Sequence, residues 1–418
     1  MDFTAHPCFD DQARLRYSRV HLPVAPACNV QCNFCDRKFY CANESRPGVT
    51  SAILRPDQAA AYVDAVLAKD DSLRVVGIAG PGDPLANAAA TLETLRLVRL
   101  YHPEMLLCLA TNGLALPKHA ESLAALKVSH VTVTVSAVDP AIGSKIYAYV
   151  VDGSERLTGT AGAERILAAQ LLGIRRLVEL GVMVKINSIL IPGVNDHHIV
   201  DIARAMGELG ASRFNCLPLH PVSGTPFGEI VEPSRERTRE IRETCRTYLP
   251  QMEHCARCRA DAVGRIGHNP SEEQLVLLRT HAGRKKSSQR TLVAVASQEG
   301  VLVNQHLGEA REFFVFAQRG DAFIQVDKRP APQVGQGEAR WQDLANILAD
   351  CRALLVTDAG RRPREVLEAA GLEVFATEGL VEDLLDTLYQ GRPLPKVRQE
   401  AFKCGKGATC GGNGLACG

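Results

Sequence analysis

HLPVAPACNVQCNFC, residues 21–35, sets an apolar, strand-like run directly before three cysteines spaced CxxxCxxC. Outward from it, residues 1–283 alternate β-rich runs with helical patterns. Strands are expected at 21–25, 74–79, 105–110, 130–136, 182–191 and 213–219, and helices at 57–68, 88–101, 117–126, 161–180, 196–209 and 233–248. Pro56 suits the first position of the earliest of these helices. Six strands joined by helical crossovers imply a parallel sheet with right-handed connections. The expected fold is α/β, a partial (β/α)6 TIM-type barrel. Pattern alone leaves an open doubly wound sheet as the alternative.

The triplet Cys28, Cys32 and Cys35 carries the chemistry. A [4Fe–4S] cluster takes four ligands, normally thiolates. Three cysteines in one short loop leave one iron open, and the amino and carboxylate groups of S-adenosylmethionine (SAM) can chelate it. The alternative is a structural zinc loop, but zinc usually takes four ligands in CxxC pairs. The chain has 14 cysteines in 418 residues. No run of 18 apolar residues occurs, and charge is spread through the first 20 residues, so neither a membrane span nor a signal peptide is expected. The expected location is cytoplasmic, where clustered cysteines point to metal or redox chemistry rather than disulfides. A net charge of +1 gives no reason to invoke nucleic acid or a charged membrane as a partner.

On these residues the chain resembles the radical SAM superfamily. AGPGDP at 79–84 looks like the family's glycine-rich segment, whose backbone meets the SAM amino group. Gly80 and Gly82 permit close backbone approach there, and Asp83 is placed to pair with the ammonium, although PGDP also suits a plain β-turn. Thr111–Asn112–Gly113 ends the third strand in the same way, which puts Asn112 among the expected SAM contacts. Thr134 and Ser136 alternate along the fourth strand, and Lys185, Ile186 and Asn187 lie in a fifth-strand run resembling the ribose- and adenine-contacting strand. The SAM contacts expected on that strand are Ile186 and Asn187.

The remaining cysteines make the resemblance more specific. HPC at 6–8, the opening stretch at 21–35, DRKFYCANESRPGV at 36–49, AGPGDPLA at 79–86 and CARCRADAVG at 255–264 resemble the NifB family of nitrogenase cofactor-biosynthesis proteins. The resemblance implies two further [4Fe–4S] clusters taken as substrates and fused into an eight-iron cluster, with a carbide derived from a SAM methyl group. It implies His21, Cys41 and Cys108 as ligands of one substrate cluster and Cys8, Cys255 and Cys258 as ligands of the other. It implies Glu44 as a general base. It implies as partners the scaffold and carrier proteins of nitrogenase assembly, iron–sulfur cluster donors, and an electron donor such as ferredoxin or flavodoxin. Each residue has a plainer reading. Cys108 suits a buried thiol and His21 a packed histidine, Cys255 and Cys258 suit half a zinc site, and Glu44 suits an ion pair with Arg46 or Arg37. Cys216, Cys245 and Cys351 are expected in the core. Rival functions are a radical SAM enzyme acting on a peptide or small molecule with auxiliary electron-transfer clusters, and a non-catalytic iron–sulfur carrier.

Residues 284–290, RKKSSQR, read as a linker after the 1–283 domain. A small α/β domain over 291–395 follows. Strands are expected at 291–297, 301–304, 312–317, 322–327, 353–358 and 372–376, and helices at 341–350, 363–370 and 380–389. VNQHLGEAREFFVF at 303–316 resembles the NifX-like, iron–molybdenum cofactor-binding family, which implies a ribonuclease-H-like fold. His306 in that motif is either a cluster ligand or a capping histidine. The tail 396–418 is rich in glycine and carries Cys404, Cys410 and Cys417, suited to cluster transfer or to no fixed structure.

Overall fold

The computed structural model describes residues 6–38, 46–283, 290–319, 322–333, 335, 337–390 and 392–395. The chain divides into two compact units, Met1–Lys285 and Lys286–Gly418.

In the first unit six parallel strands stand in chain order: Ser18–His21, Leu73–Ile78, Leu106–Thr111, Val128–Thr134, Met183–Leu190 and Arg213–Pro218. They are named below first to sixth. The two-residue strand Val263–Gly264 adds antiparallel to the first. A doubly wound sheet reverses its strand order at a switch point. This sheet never reverses, so it is the curled half-barrel rather than the doubly wound alternative.

Alternation along the strands divides labour between the two faces. Val76, Ile78, Leu107, Leu109, Val131, Val133, Val184 and Ile186 are buried in one apolar core with Tyr62, Leu95, Leu116, Leu123, Ile174 and Ile202 from the covering helices. Gly77, Cys108, His130, Thr132, Lys185 and Asn187 fall on the other face and line a cavity. Burying each large aliphatic side chain of the core contributes roughly 1.5–3 kcal/mol, so the helix-facing side stabilises the sheet.

The first strand lies earlier than the expected 21–25, because Pro23 and Pro26 have no N–H for a ladder. After His21 the chain runs on extended, and Ala25 bridges to Pro81. Three further features had no counterpart in the pattern reading. Val30–Cys32 pairs with the hairpin Tyr147–Asp152 and Glu155–Leu157, so the cysteine loop is partly a strand. Pro140–Ile146 forms a short helix capped by Asp139, and Glu272–Gly283 forms a helix.

The second unit is a five-stranded sheet in the order Ala322–Pro330, Glu312–Arg319, Leu292–Ala296, Cys351–Val356, Glu373–Ala376. The first three are antiparallel and the last two run parallel to Leu292–Ala296. Helices Glu338–Ile347, Arg361–Ala369 and Val381–Tyr389 accompany it. The 3-2-1-4-5 order agrees with the expected ribonuclease-H-like type.

Candidate active site

A cavity of about 390 Å³ opens on the inner face of the half-barrel. Cys28, Cys32 and Cys35 line it. Two side chains hold their loop through its backbone carbonyls. Arg37 donates to the carbonyls of Cys28 at 3.0 Å and Val30 at 2.6 Å, and Gln31 Nε2 donates to that of Cys35 at 2.8 Å. Burial pushes the Cys32 thiol well above its ordinary value, with Cys35 and Cys28 adding to the rise. Burial first and Asp83 second push Cys28 up to about 11. Three clustered thiols that burial makes costly to ionise suit cationic iron, which binds them as thiolates.

Gly82, Asp83, Asn112, Thr134 and Asn187 also line the cavity. A Cβ on Gly82 would stand 2.1 Å from the Ala27 carbonyl oxygen, so this glycine admits the chain's own cysteine loop. Asp83, expected to pair with an ammonium, is engaged by the chain's own groups. Its carboxylate accepts from Leu85 N at 2.9 Å, Thr111 Oγ1 at 3.0 Å and Asn112 N at 2.6 Å, which ties the glycine-rich turn to the third strand. Asn112 Nδ2 donates to Asn29 Oδ1 at 2.7 Å and lies 3.8 Å from Cys28 Sγ. Gly80, Ser136 and Ile186 do not line the cavity. Gly80 is buried in the turn, Ser136 Oγ accepts from Ile189 N at 3.3 Å, and Ile186 points into the helix-facing core by the two-residue period of its strand.

A second group of residues of metal-ligating type lies in the same cavity. Parallel register places His21, Gly77, Cys108 and His130 side by side across four strands. Gly77 has no side chain, and Cys108 and His21 converge over it. A Cβ there would stand 2.9 Å from Cys108 Sγ and 3.5 Å from His21 Nε2. His21 Nδ1 donates to the Arg259 carbonyl at 3.0 Å, which leaves the Nε2 lone pair for a metal. Burial, then Arg19, lowers the imidazole to about 4, so it is neutral at physiological pH. Burial raises Cys108 to about 12, with neighbouring Cys8 adding to the rise.

Cys8, Cys255 and Cys258 meet because the two ends of the domain meet. His254 Nε2 donates to the Pro7 carbonyl at 2.8 Å, and His254 Nδ1 lies 2.8 Å from Asp11 Oδ1. The CARC turn places Arg257 at a φ of +50°, a left-handed conformation unusual outside glycine. Its guanidinium donates to the Pro218 carbonyl at 2.9 Å. Arg19, buried mid-strand, donates to Cys258 Sγ at 3.1 Å. The buried pair Arg259–Asp261, 2.7 Å between Nε and Oδ1, braces the segment, and Asp261 also accepts from Ser51 N at 2.7 Å.

Among the described residues no three His, Cys, Asp or Glu side chains are grouped to hold a single metal ion. A cluster binds each thiolate at a different iron, so a more open set of ligands suits it. Cys41 and Glu44 lie outside the described residues, as do Cys404, Cys410 and Cys417. Cys216, Cys245 and Cys351 are buried. In the second unit, His306 Nδ1 accepts from Gly308 N at 3.0 Å, so the ring caps its own turn.

Pattern reading missed His6, Phe9, Arg19, His130 and Met252. A period of two from Cys108 or Thr134 finds the inward residues, but only cross-strand register puts His130 beside Cys108.

Residues 22–206 match the radical SAM superfamily and residues 289–391 the dinitrogenase iron-molybdenum cofactor family. The chain is 48% identical over 416 residues to the FeMo cofactor biosynthesis protein NifB of Chlorobaculum tepidum, covering 99% of this chain and 98% of that protein. It is 41% identical to that of Klebsiella pneumoniae, covering 88% and 86% respectively. Among solved structures it is similar to Streptococcus suis SuiB bound to S-adenosylmethionine, at 17% identity and a TM-score of 0.41, covering 56% of this chain and 50% of that one. No helix of the described residues is long and apolar enough to cross a membrane. With a cysteine triplet, a half-barrel cavity lined by further cysteines and histidines, and near-full-length relatives in agreement, the chain belongs to the NifB family of FeMo cofactor biosynthesis proteins, as a radical SAM enzyme carrying a C-terminal iron–molybdenum cofactor domain.

Proposed function

We propose that this chain fuses two [4Fe–4S] clusters, bound as substrates, into an eight-iron cluster that carries a carbide from a SAM methyl group. The observation that carries the reading is that the cysteine triplet shares one cavity with Cys8, His21, Cys108, Cys255 and Cys258. Cys28, Cys32 and Cys35 hold the resident cluster. Bound there, it supplies the electron that cleaves SAM. Gly82, Asn112, Thr134 and Asn187 face the SAM volume, and Asp83 positions Asn112. His21 and Cys108, with Cys41, hold one substrate cluster. Cys8, Cys255 and Cys258 hold the other. Sites of three ligands release a finished product more readily than four thiolates do. Glu44 is the candidate general base.

The partners that fit are iron–sulfur cluster donors, a ferredoxin- or flavodoxin-like reductant, and the scaffold and carrier proteins of nitrogenase assembly. The second unit suits a resting place for the product, and a cytoplasmic location suits the cysteine usage.

The test is anaerobic reconstitution, iron quantitation and electron paramagnetic resonance, followed by SAM labelled in its methyl carbon. The expected result is three four-iron clusters and label retained in an iron–sulfur product. Iron for one cluster only, or label that never enters the iron product, would overturn the reading. SAM cleavage without label transfer favours a small-molecule substrate, and clusters without SAM cleavage favour a carrier.

A further inference from the structure

Lys185 lies mid-way along the fifth strand, facing the cavity and only 6% exposed. Its ammonium reaches Met252 Sδ at 3.6 Å and the Phe9 ring, 5.8 Å from the centroid. Among the described residues no carboxylate pairs with it. An ammonium taken out of water without a counter-charge is costly, so such a residue is retained where something anionic completes it. Its register is opposite Thr132, one inward position deeper than the Thr134–Asn187 pair. That level is midway between the SAM contacts and the row of Cys108, and the ammonium turns to the inner thiols, toward Phe9 beside Cys8 in the chain and Met252 before the CARC turn. Its charge acts on Cys8 and Cys108 together, and on His6, His21 and His130. His6 adds a second donor. Its Nδ1 accepts from Cys8 N at 3.1 Å, so the neutral ring carries its proton on Nε2, which is buried without a partner and borders the same cavity.

We propose that Lys185 is the counter-cation of the substrate compartment, its ammonium and the His6 Nε2–H donating hydrogen bonds to the sulfur of an anionic, thiolate-ligated iron–sulfur cluster. This rests on the proposed function, because it takes the inner cysteines to hold substrate clusters. Thiolate ligands give such a cluster net negative charge, and N–H donors to its sulfurs favour the reduced form. Lys185 is thus a positioning residue that sets affinity and reduction potential together.

The test compares the full-length chain with Lys185→Met and Lys185→Arg, each reconstituted anaerobically without SAM, so that no fusion chemistry enters. The readouts are iron and acid-labile sulfide per chain, midpoint potentials by electron paramagnetic resonance, and the rate of iron loss to a chelator. The triplet's cluster, identified by its spectral response when SAM is then added, is the internal reference. In Lys185→Met the inner clusters should become harder to reduce and lose iron roughly tenfold faster, the effect expected for one charge-assisted hydrogen bond. Lys185→Arg should restore the potential. The iron-free Met variant should melt no lower than the parent, because it buries a thioether in place of an unpaired charge. Wild-type potentials and chelator rates in a folded Met variant would overturn the assignment, as would weakened SAM binding with the inner clusters unchanged. If the parent chain takes up iron for the triplet's cluster alone, the proposed function and this assignment both fall. If it takes up more and the Met variant matches it, only the role of Lys185 falls.

Discussion

Gly77→Ala tests whether the convergence of Cys108 and His21 is functional or incidental. The backbone at Gly77 is in an ordinary strand within a parallel ladder, so alanine meets no conformational barrier. The added methyl would stand 2.9 Å from Cys108 Sγ and 3.1 Å from His21 Cδ2, against about 3.5–4.0 Å for comfortable carbon contacts. One or both ligands must retreat by several tenths of an ångström. Overpacking of this kind costs about 1–3 kcal/mol. The smaller unfolded-state entropy of alanine returns about 0.4–1 kcal/mol. The net loss is therefore about 1–2 kcal/mol, a few degrees in melting temperature for a unit of this size. Val76→Ala, on the helix-facing side of the same strand, is the control. It should cost on the order of 2 kcal/mol by leaving a cavity, yet leave the ligands in place. The assay is anaerobic iron content and yield of the fused product in both variants. Gly77→Ala should lose substrate iron and product while Val76→Ala keeps both. If Gly77→Ala retains full iron and full product, the pair over Gly77 is packing and not a site.

The other predictions concern separate parts of the chain. Replacing Cys28, Cys32 or Cys35 by Ala should abolish 5′-deoxyadenosine formation, and cleavage persisting in all three would remove the basis for the radical reading. Cys255→Ala/Cys258→Ala should lose about four iron per chain while SAM still binds; retention of full iron and product would make the CARC turn structural. Asp261→Asn should destabilise the first unit by about 3–5 kcal/mol in a denaturant melt, because it leaves the Arg259 guanidinium buried beside a neutral group. A chain ending near Gly283 should fold and still cleave SAM, and loss of cleavage in a well-folded truncation would make the second unit part of the catalytic body.

Much of the fold was legible because helix and strand periods alternate regularly through the first unit. What escaped was set by long-range contact. The short strand Val30–Cys32 exists because Tyr147–Asp152 pairs with it, more than a hundred residues later. Nothing local to the cysteine loop signals that pairing. At the site, cysteine spacing singled out the triplet, since its three cysteines lie within one loop. Ile186 and Ser136 show the limit of reading contacts from a strand's polar run. Period two sends Ile186 to the opposite face from Asn187, and the fourth strand ends before Ser136 can extend the Thr134 row. Asp83 shows another limit. A carboxylate in a glycine-rich turn reads as a ligand contact, and its bonds to the backbone N–H groups of Leu85 and Asn112 have no signal in the sequence. The meeting of Cys8 with the CARC turn is fixed by long-range contacts of His254 with Pro7 and Asp11, between chain segments at opposite ends of the domain.

The half-barrel can devote its inner face to chemistry because its outer face carries the stability. Along the second to fifth strands every helix-facing position named above is a valine, leucine or isoleucine, whereas the cavity side holds glycine, cysteine, histidine, threonine, lysine and asparagine. Such an inner face leaves polar groups that need partners. It also has depth. Asn112, beside Cys28, lies four residues beyond Cys108, just past the end of the same strand, about 13 Å at a rise of ~3.3 Å per residue. The triplet therefore stands at the strand ends, and the row of His21, Cys108 and His130 lies deeper, with Lys185 between the two levels. A separation of that order leaves room for SAM between the mouth and the inner thiols. On the proposed function, it also keeps the two sets of thiols from competing for one cluster, since a shared ligand would let the resident cluster be consumed with the substrate.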